Sequence, residues 1–110
     1  MKFLVKKDEI FNGIRLVANV AAMKSLQPVL ANILIETVDD NALRLTATDF
    51  DLTISTTVDA KIESEGKITL PAKKLNDIVS RLSDKLITFE LDNETNSVNI
   101  QCENTKFDII

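Results

Sequence analysis

Histidine, tryptophan and tyrosine are absent from the chain, and cysteine occurs once, at Cys102. Without histidine there is no Ser-His-Asp triad, no imidazole general base and no histidine-bearing zinc site. One cysteine leaves no disulfide to form within the chain, which fits a reducing compartment. Cys102 falls in register with Val98 and Ile100 and reads as a core thiol. The aromatics are five phenylalanines, Phe3, Phe11, Phe50, Phe89 and Phe107, mostly at core-type positions. That is a poor supply of stacking platforms, which argues against a sheet module for RNA or single-stranded DNA. No apolar run reaches the ~20 residues of a membrane span. The start, MKFLVKKDE, lacks the long apolar stretch and cleavage site of a signal peptide.

What is present suits one domain: 110 residues, 45% of them hydrophobic. Formal charge is −4, unlike that of a typical nucleic-acid binder, but the charge is unevenly placed. Segment 6–24 sets Lys6, Lys7, Arg15 and Lys24 against Asp8 and Glu9, a net +2. Segment 71–82 sets Lys73, Lys74 and Arg81 against Asp77, again +2, which leaves −8 on the remainder.

Both basic segments read as helices. In TLPAKKLNDIVSRL, from Thr69, a strand end runs into a helix with Pro71 at its first position. Leu75, Ile78, Val79 and Leu82 form its apolar face. In the earlier segment Asp8 caps or charges a helix start, and Ile10, Phe11, Ile14, Val17, Ala18 and Ala21 form the stripe. Gly13 within it can permit close packing, but a tolerated glycine, at a cost of roughly 1 kcal/mol against alanine, is the simpler account. The pattern predicts helices near 7–22 and 72–82. Strands are expected at Lys2–Val5, Asn32–Val38, Leu43–Ala47, Leu52–Val58, Lys67–Leu70, Ile87–Leu91, Val98–Cys102 and Thr105–Ile110, with a connector through Pro28 and a loop from Glu63 to Gly66. The order is strand, helix, three strands, and then the same again. The fold class is α+β: two helices on one side of antiparallel sheets, with an internal pseudo-repeat.

The stretches MKFLV, PVLANILIE from Pro28, LRLTATDFDL from Leu43 and TLPAKKLNDIVSRL, in that order and spacing, resemble the N-terminal domain of the bacterial sliding clamp, the beta subunit of DNA polymerase III. The wording of PVLAN and PAKKLNDIVSRL is most similar to the cyanobacterial and plastid-like branch. The resemblance runs from Met1 to Ile110. It implies one N-terminal domain of three, the other two lying beyond this sequence. It also implies a DNA clamp fold and a processivity role in DNA replication without catalysis. Full-length relatives form a homodimeric ring around duplex DNA that serves a polymerase and a clamp loader. The implied location is cytoplasmic and nucleoid-associated, with plastid as an alternative, and neither metal nor cofactor is implied.

The DNA-contacting residues expected on this basis are Lys24, Arg15, Lys73 and Arg81. Lys24 stands where the family usually has arginine. The resemblance places a subunit interface at Lys74, Asn104, Lys106, Phe107 and Ile109. Phe107 and Ile109 also read as core residues of a terminal strand. Asn104 and Lys106 replace family arginines. Asp49 and Asp51 form a D-x-D pair, but two carboxylates without a third ligand or a phosphate loop are expected to serve a turn rather than a metal or an active site. The alternative function is a stand-alone protein–protein interaction domain.

Overall fold

The computed structural model describes residues 1–23, 32–48, 52–83 and 85–109. Its elements are β1 (Lys2–Lys6), α1 (Lys7–Met23), β2 (Asn32–Val38), β3 (Ala42–Thr48), β4 (Thr53–Asp59), β5 (Lys61–Ser64), β6 (Lys67–Pro71), α2 (Ala72–Arg81), β7 (Leu86–Asp92), β8 (Ser97–Cys102) and β9 (Thr105–Ile109). They form two antiparallel sheets, one ordered β5-β1-β7-β8-β9 and the other β4-β3-β2-β6.

The expected repeat is present, and its halves exchange their first strands. β1 pairs with β7 of the second half, and β6 pairs with β2 of the first. The register is the same in both: Lys2 faces Glu90 and Lys6 faces Leu86, as Lys67 faces Glu36 and Pro71 faces Asn32. The helices follow suit, with Ile10, Ile14 and Val17 of α1 matched by Leu75, Val79 and Leu82 at the same spacing, all buried.

Strand alternation supplies the rest of the core. Phe3, Val5, Ile87, Phe89, Val98, Ile100 and Cys102 come from the larger sheet. Ile33, Ile35, Leu43, Leu45, Ala47, Val58 and Leu70 come from the smaller. Each full burial of such a side chain contributes roughly 1.5–3 kcal/mol. Phe3 and Phe89 are register partners and stack with ring centroids 4.8 Å apart. No helix among the described residues is long and apolar enough to cross a membrane.

Four local readings are corrected. Pro71 ends β6 and is the N-cap of α2, at φ −60° and ψ 126°, rather than its first helical residue, and the helix begins at Ala72 as the expected span 72–82 has it; proline's fixed φ suits that extended conformation equally well. Residues 61–64 are a short strand on the edge of the larger sheet rather than part of a loop, held to β1 and by Ile62 N–H donating to Asp40 O at 3.0 Å. Leu52 precedes β4 and is exposed. Gly13 is a site of close approach: a Cβ there would stand 2.8 Å from Leu45 Cδ1 and 2.9 Å from Val58 Cγ1.

Two hairpin turns carry testable consequences. Asp39, Asn96 and Glu103 have positive φ. Aspartate and asparagine tolerate that region, whereas glutamate at φ 52° is strained. Glu103→Gly should therefore raise unfolding stability by about 1 kcal/mol, measured by urea denaturation. In the β7–β8 turn, Asp92 Oδ1 accepts the Glu94 N–H at 2.9 Å and the Thr95 N–H at 3.4 Å. These bonds, Glu94's foremost, hold the Asp92 carboxyl below its ordinary range. A folded-state pKa below the unfolded one means a contribution present above the unfolded value and lost as pH falls through the folded one. Asp92→Asn should flatten the acid limb of a stability–pH curve and leave the neutral limb parallel to that of the parent.

Candidate nucleic-acid interface

α1 and α2 lie in contact with each other, and each turns its buried face to the shared core. Their polar faces are therefore neighbours. Arg15 on α1 is exposed, as are Lys73, Lys74 and Arg81 on α2. Three of the four expected DNA-contacting residues thus stand on two adjoining helices. The fourth, Lys24, lies outside the described residues, as do Asp49, Phe50, Asp51 and the stretch through Pro28. Among the described residues, no group of three or more His, Cys, Asp and Glu side chains is placed to hold a metal ion.

The two helices begin differently. α1 has Asp8 and Glu9 in its first turn, the usual complement to the positive end of a helix dipole. Asp8 sits inside that turn rather than at the cap, and its Oδ1 accepts the Glu9 N–H at 2.9 Å. α2 has no acid in its first turn, where Lys73 and Lys74 stand against the dipole. A helix shaped for solubility alone would not favour lysine there, since each such charge costs about 0.3–1 kcal/mol. Arg81, in the last turn, agrees with the dipole. Lys73, Lys74 and Asp77 line a shallow groove with Pro71.

Carboxylates do not cancel these charges. Among the described residues the ion pairs are those of Lys2, whose Nζ lies 3.6 Å from Glu63 and 3.7 Å from Glu90 in the larger sheet. Among the described residues no carboxylate is paired with Lys7, Arg15, Lys73, Lys74 or Arg81. Arg15 instead lies over an aromatic: its Cζ is 5.6 Å from the Phe11 ring centroid, and Lys7 Nζ is 5.4 Å from the same centroid. Sequence reasoning assigned Phe11 to the apolar stripe and passed over Lys7 as a site residue. The signal was the placement of the two cations four residues before and four after the phenylalanine, which brings all three to one helix face.

Four of the five expected interface residues, Asn104, Lys106, Phe107 and Ile109, lie at the β9 edge of the larger sheet. β9 is its terminal strand, paired with β8. Lys106 and Asn104 are exposed, Phe107 is partly buried against the core, and Ile109 is buried at 8% exposure. Lys74 is apart from them, on α2. At this edge Ile109 serves the domain's own core, Phe107 is only partly buried, and β9 has β8 as its one strand neighbour among the described residues.

Paired helices over two antiparallel sheets with exchanged first strands define a domain of the sliding-clamp kind. The chain belongs to the family described as DNA polymerase III beta subunit, N-terminal domain, whose model matches residues 1–110. A beta sliding clamp from Synechocystis is 44% identical over 93 residues, covering 84% of this chain and 24% of the relative. One from Synechococcus elongatus is 43% identical, covering 82% and 24%. These cyanobacterial matches agree with the branch read from PVLAN and PAKKLNDIVSRL. A crystal structure described as a putative DNA polymerase III beta subunit from Eubacterium rectale superimposes with TM-score 0.90 at 34% identity, over 100% of this chain and 29% of that one. The chain thus spans about a quarter of the length of the curated relatives it matches.

Proposed function

We propose that this chain is the N-terminal domain of a processivity factor, a non-catalytic part of a ring that encircles duplex DNA and tethers a replicative polymerase. The observation that carries this reading is the set of exposed cations on two adjoining helices, without carboxylate partners among the described residues and including two lysines placed against a helix dipole. A clamp must hold DNA by topology and still slide. It therefore needs weak phosphate contacts and no base readout. Arg15, Lys73 and Arg81 supply such contacts, with Lys24 as a fourth. The acidic remainder suits an outer surface that repels DNA.

The β9 edge, with Lys74, Asn104, Lys106, Phe107 and Ile109, is assigned to contact with another subunit. An unpaired strand edge is a ready site for strand addition. A homodimeric ring, a clamp loader and a polymerase belong to the longer protein, with two further domains supplying the rest of the ring. The bacterial relatives support a cytoplasmic location, and association with the nucleoid follows only from the proposed DNA-encircling role.

The test is retention on DNA. Binding to two unrelated duplexes should be equal, weak and steeply reduced by salt. Offered nicked circular and linear DNA, this chain should leave both equally fast. A preference for one sequence would refute the sliding surface. Retention on circles that ends on linearisation would show that copies of this chain close a ring unaided.

A further inference from the structure

Phe11 does more than fill the apolar stripe of α1. Its ring is partly buried against the core and so is fixed in place. Lys7 and Arg15 both rest on it, at 5.4 and 5.6 Å from the centroid. Their charged heads are no more than about 11 Å apart, the two distances laid end to end. Two like charges on one helix face would otherwise spread apart in water.

The choice of an aromatic partner matters. A carboxylate would order an arginine but cancel its charge. A ring face orders the guanidinium through its plane and leaves both the charge and the N–H edge free for a phosphate. A lysine ammonium likewise keeps donors directed away from the ring. A DNA strand presents one phosphate per ~3.4 Å of helix axis, so two cations held this close lie within reach of phosphates of one passing strand. Among the described residues the arrangement is confined to α1. The repeat equivalent of Phe11 is Asn76, flanked four residues away by Ala72 and Ser80. Asn76 Oδ1 is itself buried with no hydrogen-bond partner.

We infer that Phe11 is a positioning residue for DNA contact: it holds Lys7 and Arg15 as a pre-ordered, unneutralised pair facing the duplex, and Lys7 joins the contacting cations. This inference rests on the proposed DNA-lining role. It adds a residue that touches no DNA and a cation that charge counting on α2 would not find.

The experiment compares Phe11→Leu, which keeps the apolar bulk, with Phe11→Trp, which keeps a ring, by duplex binding at low salt. Phe11→Leu should weaken binding about two- to fivefold. Phe11→Trp should restore it, and Phe11→Leu should add no loss in a Lys7→Gln, Arg15→Gln background. Independently of DNA, side-chain proton resonances of Arg15 and Lys7 should show ring-current shifts that vanish in Phe11→Leu. Equal losses in the leucine and tryptophan variants, or absent ring-current shifts, would overturn the inference. If Lys7→Gln and Arg15→Gln bind like the parent while Lys73→Gln does not, the positioning role fails and the DNA-lining role stands. If none of the three matters, both fail.

Discussion

Gly13→Leu is expected to lower unfolding stability by about 1–2 kcal/mol. The bare Cα of Gly13 lets α1 settle onto β3 and β4, with Leu45 Cδ1 and Val58 Cγ1 inside 3 Å of where a Cβ would be. Leu45 is wholly buried and Val58 nearly so, at 0% and 6% exposure. Val58 is branched at Cβ and has little rotamer freedom to yield. Forcing a side chain into such packing typically costs about 1–3 kcal/mol, sometimes more. Leucine's better helix propensity returns only about 1 kcal/mol. Gly13→Ala, with one carbon to place, should lose much less. Urea denaturation of the two variants gives the comparison. A leucine variant as stable as the parent would show that α1 does not rest on these strands through Gly13. The displaced helix would also carry Arg15 with it, so this packing contact lies upstream of the proposed site.

The second large effect is on binding. The variant Arg15→Gln, Lys73→Glu, Arg81→Gln should bind duplex DNA at least about a hundredfold more weakly at low salt, and its slope of log K against log salt should be shallower by about 2–3. Lys73→Glu alone should separate function from stability. It replaces a lysine in the first turn of α2 by the residue type the helix dipole favours, so stability should rise by about 0.3–1 kcal/mol while binding falls. Opposite signs on one substitution are what a functional charge held against local preference produces. If stability falls along with binding, Lys73 is a structural residue. If binding is unchanged in the triple variant, the helix face is not the DNA surface.

Element order was legible because most elements are strongly periodic. The helices announce themselves through Ile10, Ile14 and Val17 and through Leu75, Val79 and Leu82, and the hairpins through alternation such as Val98, Ile100 and Cys102. β5 was not legible, because Lys61–Ser64 carries a single apolar residue, Ile62, and period two needs at least two. The exchange of first strands was not legible either: pairing β1 with β7 is a long-range choice that no local pattern encodes. Gly13 reads the same in sequence whether it is tolerated or required, since what requires it sits on β3 and β4. At the proposed site, Arg15, Lys73 and Arg81 were expected on exposed helix faces because cations in an acidic chain stand out, and all three are exposed. Phe11 could not, because its stripe position accounts for it fully until the two cations are seen on its ring. The edge at β9 was legible as a terminal strand, but the burial of Ile109 depends on its register partner Val98 and the core beneath.

Amide chemical-shift mapping tests the central claim most directly. The chain, labelled with nitrogen-15, is titrated at low salt with two short duplexes of unrelated sequence. Perturbations are expected along α1 around Arg15 and along α2 at Lys73 and Arg81, the same for both duplexes and reversed by salt, with the outer face of the larger sheet around Lys2, Glu63 and Glu90 unmoved. Shifts concentrated on that sheet, or a pattern that differs between the two sequences, would contradict a clamp-lining helix pair.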